Sequence, residues 1–445
     1  MFFFFSLLNL KSTFHEMNIK LKEFVRSLVC FTSTYKKTRC LLEAPFDEKN
    51  LSDAVYKAIA NVPFYRSHNY LTLLRNDGKF DLSVFPLLQK REILGHEIEF
   101  VSDRFSKLFL RREKTGGTTG MPMALFYSPK LSIQRTVMPD ILIEKYAPHN
   151  SQVAMMRGVK PKNNSIYQRI GKYKLAFSSY LICEENVDDY LNALRKEDVA
   201  IITAYPSAIT VFASHIKNKY GKCPAMPLKA IITSSEIFDR NDKDLVMSTF
   251  PGVKLIDFYS MSEFVTAAYS IGLDEYHFNM NYGYVEFLDT NDKTLTGNRI
   301  CKIVATSIMN DTMPLIRYDT GDLAELDDKN SVISIIGRVN HYAVNKNDEL
   351  VPCIVIFSDE PVRHTLQYQY YQDTPGVLEV RVLPKTDFTE EDRLTMIRDM
   401  EECFLGTMLC KVSIVDTLEH TSIGKLSRMI QKLDLMKYKK RIVVR

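Results

Sequence analysis

Residues 115–122 read Thr-Gly-Gly-Thr-Thr-Gly-Met-Pro. Glycine lets backbone N–H groups approach a ligand closely, and amides flanked by hydroxyls make a concavity suited to an anion. Thr115, Gly116, Gly117, Thr118, Thr119 and Gly120 are therefore candidates for holding a polyphosphate. The flanks, Lys107–Arg112 and Met123–Tyr127, both read as strands, which makes this a strand-loop-strand device. A Walker A loop or a dinucleotide fingerprint would need other glycine spacings, and no window supplies either. The same residues without a ligand would form a Gly/Thr hairpin, so the rest of the chain has to decide.

Further chemistry-bearing residues stand at the ends of predicted strands. After a helix at 129–146, apolar runs at 153–157, 199–204, 228–233 and 254–259 alternate with amphipathic stretches near 187–195, 208–220 and 239–249. This predicts a parallel sheet covered on both faces, with ligands at the carboxyl ends of its strands. Tyr205-Pro206-Ser207, Ser234-Ser235-Glu236 and Tyr259-Ser260-Met261-Ser262-Glu263 then share one rim. Taken alone, Glu263 is a carboxylate at a strand end and Tyr259 a core tyrosine.

Short alternating strands at 282–288, 299–307, 315–318 and 332–336 predict an antiparallel, barrel-like subdomain over 263–336. Strand 377–383, helix 390–405 and strand 411–415 fit a small α+β module. The chain divides into an apolar extension at 1–16, a large domain at 17–338 that opens with a helical collar, and a small C-terminal domain at 339–445. The fold class is α/β.

A net charge of only +4 gives no reason to expect nucleic acid as a partner, and Lys437–Arg441 reads as a solvated end. The apolar start MFFFFSLLNL is shorter than the roughly 20 residues a membrane span needs. The eight cysteines form no CxxC pair, which favours reduced thiols, a cytoplasmic location and no structural zinc.

Five spaced segments, Thr115–Pro122, Tyr259–Glu263, Arg317-Tyr-Asp-Thr-Gly-Asp322, Gly337-Arg338 and Gly424-Lys425, resemble the motifs of the adenylate-forming superfamily of acyl-CoA synthetases and adenylation domains. The finer resemblance is to the phenylacetate-CoA ligase branch and its relatives in capsular polysaccharide biosynthesis. It is carried by Val62-Pro-Phe-Tyr-Arg66, Pro86-Leu-Leu-Gln-Lys90, Tyr205-Pro-Ser207, and His277 ahead of Tyr284-Val-Glu286, and it covers roughly 55–432. The resemblance implies a large nucleotide-binding domain with a mobile C-terminal lid. It also implies ATP-dependent activation of a carboxylic acid as its adenylate, followed by transfer to CoA.

By that resemblance, residues Thr115 to Gly120 hold the β- and γ-phosphates, with Thr118 also catalytic, and Glu263 binds Mg²⁺. Asp322 takes the ribose hydroxyls, Arg338 the ribose or phosphate, and Tyr259 stacks on adenine. Ser235, Glu236, Ser260, Met261 and Ser262 complete the nucleotide site, while Tyr205 and Ser207 line the acyl pocket. Lys425 is brought to the reacting carboxylate and α-phosphate by lid closure about Asn340. Two positions depart from the pattern: Met121 stands where a loop lysine is frequent, and Asn340 where an acidic hinge residue is frequent. They leave open a nucleotide-binding protein without turnover, and transfer to an amine, a carrier protein or a sugar is the other alternative. The acid and the oligomeric state are not readable from the sequence.

Overall fold

The computed structural model describes residues 29–73, 81–114, 123–148, 150–159, 161, 165–238, 240–288, 300–338, 342–352, 361, 364–404, 406–420, 426–427 and 429–438. The loop at 115–122, the extension at 1–16, Asn340 and Lys425 lie outside the described residues, as does the side chain of Arg338.

Helices α1 (Ser33–Glu43) and α2 (Glu48–Asn61) open the described chain. The Thr32 hydroxyl caps α1 by accepting from Tyr35 N, and the Asp47 carboxylate caps α2 by accepting from Lys49 N. The break between them falls at Ala44-Pro45. The hairpin β1 (Arg111–Lys114) and β2 (Ala124–Tyr127) closes the predicted phosphate loop with the pair Lys114–Ala124. The strand expected from Lys107 starts only at Arg111. Residues Lys107–Phe109 instead form a tight 3₁₀ turn, because β2 ends where Ser128 caps the next helix and so offers no partner further along.

Helix α3 (Pro129–Glu144) leads into strand β3 (Gln152–Arg157) and the hairpin β4 (Tyr167–Gly171) and β5 (Lys174–Ser178). Then follow α4 (Val187–Lys196), β6 (Val199–Ala204), α5 (Pro206–Tyr220), β7 (Ala230–Ser234), α6 (Arg240–Thr249), β8 (Lys254–Ser260), β9 (Ala267–Ile271) and β10 (His277–Phe278). The eight-stranded sheet runs β10-β9-β8-β7-β6-β3-β5-β4. Its five middle strands are parallel, as expected, but β4, β9 and β10 pair antiparallel at the edges, so the sheet is mixed. Successive strand residues alternate between two cores. Ile201, Ile232 and Ile256 join Leu131, Val137 and Leu142 of α3, while Ile202, Ile231 and Leu255 join the faces of α4, α5 and α6. That alternation is why the central strands read as unbroken apolar runs.

Strands β11 (Gly283–Leu288), β12 (Ile300–Ser307), β13 (Tyr318–Leu326) and β14 (Val332–Arg338) form an antiparallel sheet in that order. The strand expected at 315–318 is absent. Leu315 N bonds the Ser307 hydroxyl, Arg317 N bonds the Thr306 hydroxyl, and Arg317 turns to φ 47°, so β13 begins only at Tyr318. The Arg317 guanidinium pairs with Glu286 at 2.9 and 3.0 Å and donates to Phe85 O at 2.7 Å, clamping β11 to the collar.

Beyond β15 (Tyr342–Val344) and β16 (Leu350–Pro352) come β17 (Thr365–Gln372), β18 (Val377–Pro384), α7 (Glu390–Phe404), β19 (Leu409–Ile414) and β20 (Met429–Gln431). The sheet order is β19-β18-β17-β20. Leu378, Val380, Val382, Met396, Met400 and Phe404 build a third core confined to this lobe. No helix among the described residues is long and apolar enough to cross a membrane.

Candidate active site

The turn after β8 carries Glu263, and its backbone is held from two sides. Tyr127 OH, at the end of β2, donates to Ser262 O at 2.7 Å, and the Asn310 amide donates to Glu263 O at 3.0 Å. Phe264 takes φ 59°, a left-handed conformation that costs a non-glycine residue energy and is retained only where surroundings enforce it. Those surroundings include Gly283, where a Cβ would stand 1.7 Å from Val265 O. The Glu263 side chain is 4% exposed, and its carboxylate accepts from Tyr318 OH at 3.4 Å. Among the described residues no cation pairs with it. A buried carboxylate in that state is suited to a hard cation such as Mg²⁺, which takes carboxylate and phosphate oxygens.

Tyr259 and Asp322, predicted to share a nucleotide, are joined: Tyr259 OH donates to Asp322 Oδ2 at 2.7 Å. Asp322 is buried on β13 and lies directly across from Arg338 on β14. The Tyr259 ring sits 6.2 Å from that of Phe278, edge to face, which fixes the ring plane. This corner can thus offer a flat aromatic face and a carboxylate to one ligand.

Glu236 has a role that spacing did not reveal. Tyr205, the residue preceding α5, supplies no side-chain cap, and the helix N-terminus is satisfied in trans: Ser207 N donates to Glu236 Oε2 at 2.9 Å. The other oxygen, Oε1, accepts from Leu426 N at 2.9 Å. Leu426 follows Lys425 in the sequence. Gln367 of β17 adds a bond from its amide to Ser207 O at 3.2 Å. The C-terminal lobe therefore docks on the rim at Ser207 and Glu236.

Behind the rim lies a cavity of about 300 Å³. Leu142 and Ile143 of α3, with Ile232 and Phe258, give it apolar walls, and Ser235, Ser260, Met261 and Ser262 line it as well. Ser235 is at φ 78°, which turns the chain sharply at the end of β7. Pro139, inside α3, also lines the cavity and removes the donor that would have bonded Arg135 O. Arg135 lines the cavity too. Its guanidinium lies 4.3 Å from the Tyr127 ring centre and 3.3 Å from a Glu113 oxygen.

Arg157, on the wall formed by the end of β3, sits 5.2 Å from the Tyr205 ring centre. Burial pushes the Tyr205 hydroxyl pKa up, and the Arg157 charge partly offsets that shift. Arg135, Arg157 and Tyr127 escaped the sequence reading. Arg157 was within reach of it, since it ends a parallel strand on the same rim.

The structure thus brings Tyr205, Ser207, Ser235, Glu236, Tyr259, Ser260, Met261, Ser262 and Glu263 to one rim, with Asp322 bonded to it. Thr115 to Gly120, Asn340 and Lys425 are outside the described residues. No group of three metal-ligating side chains occurs among the described residues.

No family model matches the chain. The Staphylococcus aureus protein CapK is 23% identical over 289 residues, which is 61% of this chain and 62% of that relative's length. A 2-hydroxyisobutyryl-CoA ligase in the postadenylation state, in complex with 2-HIB-AMP, superposes with a TM-score of 0.62 at 14% identity over 90% of this chain and 91% of its own. The same ligase in its thioesterification state, with 2-HIB-AMP and CoA, gives 0.51 at 16% identity over 90% and 91%.

Proposed function

We propose that this chain, which has the fold of the adenylate-forming CoA ligases, activates a carboxylic acid with ATP and passes the acyl group to CoA. The observation that supports this most is the meeting, at one rim, of three features. These are the buried Glu263, which has no cation paired with it among the described residues, the bonded pair Tyr259–Asp322, and the docking of Leu426, next to Lys425, on Glu236. Residues 17–338 would then be the nucleotide-binding domain and 339–445 a lid that pivots at Asn340.

In the first step a carboxylate oxygen attacks the α-phosphorus and pyrophosphate leaves. Two anions have to meet, so fixed positive charge and oriented donors lower the barrier. Residues Thr115 to Gly120 would donate to the β- and γ-phosphates, Asp322 would accept from the ribose hydroxyls, and Arg338 would donate from the neighbouring strand. Tyr259 would cover the adenine. Glu263 would hold Mg²⁺, which supplies charge neutralisation of the phosphates. Lys425, carried by the docked lobe, would bring an ammonium to the oxygens between which charge moves. In the second step the CoA thiol adds to the acyl carbonyl and AMP leaves.

The likeness to CapK favours a second reading of this step, in which an amine, a carrier protein or a sugar takes the acyl group. An acid panel with hydroxylamine trapping tests activation whatever the acceptor, and formation of the CoA thioester separates the two acceptors. Lys425→Ala is expected to abolish acid-dependent pyrophosphate exchange while leaving the use of preformed acyl-adenylate largely intact. Absence of AMP and pyrophosphate release with every acid would establish a nucleotide-binding protein without turnover instead.

A further inference from the structure

The cavity behind the rim has a mixed polar and apolar wall, and one guanidinium on it has no ionic partner among the described residues. Arg135 is matched by Glu113, 3.3 Å away. Arg157 differs: its Nε is buried and bonds nothing among the described residues, and no carboxylate pairs with it there. The rest of its guanidinium meets Tyr205, over the ring and in a hydrogen bond to the hydroxyl. Arg157 as a whole is half-buried, but a buried N–H left without an acceptor costs free energy, and the cavity lies next to it.

Position along the rim tells what that charge can meet. β3 is separated from β8, which leads into Glu263, by β6 and β7. Three strand spacings put the end of β3 roughly 14 Å from the end of β8. Arg157 is therefore remote from the corner where Glu263, Tyr259 and Asp322 stand, and the two ends are joined by the cavity whose lining includes Ser235, Ser260 and Ser262. A cavity of about 300 Å³ stands at the small end of the range of ligand pockets, which suits a small acid.

We propose that the acid activated by this chain is small and carries a second anionic group at the end remote from the reacting carboxylate, and that Arg157 binds that group. The inference rests on the ligase reading of the site. It makes Arg157 a specificity-determining residue. The planar fork of donors fits a carboxylate in two bonds, and a bond made only by the correct substrate discriminates far better than added apolar contact.

The test sets matched pairs against each other: butyrate against succinate, hexanoate against adipate, benzoate against isophthalate. Hydroxamate formation measures turnover, and the melting shift produced by each acid with AMP present measures binding without turnover. In the wild-type protein at least one diacid is expected to exceed its monoacid partner by about tenfold or more in kcat/KM. Arg157→Leu should lower that diacid by about 10- to 100-fold and leave monoacids within about threefold, with Arg157→Lys in between. Monoacids equal to or better than diacids in the wild type, or an Arg157→Leu variant that lowers both alike, would overturn the proposal. If no acid gives hydroxamate, the ligase reading fails by itself. The melting shift still decides about Arg157: a diacid-specific shift lost in Arg157→Leu supports anion recognition there, and equal shifts reject it.

Discussion

Replacing Glu236 by glutamine removes a charge and one acceptor at the joint between the lobes while keeping the side chain's size. In the native protein its two oxygens each take an amide at 2.9 Å, from Ser207 within the large lobe and from Leu426 of the C-terminal lobe. Glutamine has one acceptor oxygen, and its NH₂ would face the second amide donor to donor. One bond must go. A hydrogen bond to a charged group contributes about 1.5–3 kcal/mol, and the partial exposure of Glu236 sets the low end. Of the two Glu236 bonds only the one to Leu426 joins the lobes, so losing about 1.5 kcal/mol there lowers the docked population by roughly tenfold.

Acid-dependent pyrophosphate exchange should fall by about the same factor. Consumption of preformed adenylate should stay within about twofold, and protease cleavage between the lobes should speed up. The reasoning is refuted if exchange in Glu236→Gln equals wild type. It is refuted equally if both half-reactions drop together with a large fall in melting temperature, since that would mean the loss of the α5 cap had unfolded the rim.

Lys243 is 5% exposed and reaches Asp257 at 3.2 Å, Tyr276 OH at 3.1 Å and the Ser270 hydroxyl at 3.3 Å, tying α6 to β8 and β9. Lys243→Met leaves Asp257 buried without its cation and should cost about 3–5 kcal/mol in denaturant unfolding, while adding Asp257→Asn should recover part of that; no recovery would contradict the pairing. Cys301 is fully buried and its thiol is pushed up to about 11 by burial, whereas Cys40 is exposed. At pH 8 a thiol reagent should label Cys40 in the native protein and Cys301 only after unfolding; prompt labelling of Cys301 would show that β12 opens locally.

Much of the large lobe was legible because its strands are buried on both faces. Ile201-Ile202, Ile231-Ile232 and Leu255-Ile256 have no polar face to hide, so the runs, their helices and the rim at their carboxyl ends follow from hydrophobicity alone. Strands of mixed polarity failed the same reading. β17, Thr-Leu-Gln-Tyr-Gln-Tyr-Tyr-Gln, mixes glutamine with tyrosine, and Gln369 and Gln372 are buried only because Glu419 O, Ser427 O and Val344 O accept from them. Lys107–Phe109 carries apolar residues but lacks a partner strand, and Leu108 is left 85% exposed.

The sequence by itself determined which groups the site has to work with: the threonine and glycine loop, the acids Glu263 and Asp322, and the tyrosines and serines on one rim. Their types follow from local chemistry and their rim from strand periodicity. Only the tertiary structure decided that Tyr259 holds Asp322, that Glu236 caps α5 and receives Leu426, and that Arg157 has no carboxylate paired with it among the described residues at the edge of the cavity. Those pairings join residues from 29 to 190 positions apart, Ser207 with Glu236 and Glu236 with Leu426 being the extremes. Nothing in local sequence specifies a hydrogen bond whose partner is delivered by the packing of another element.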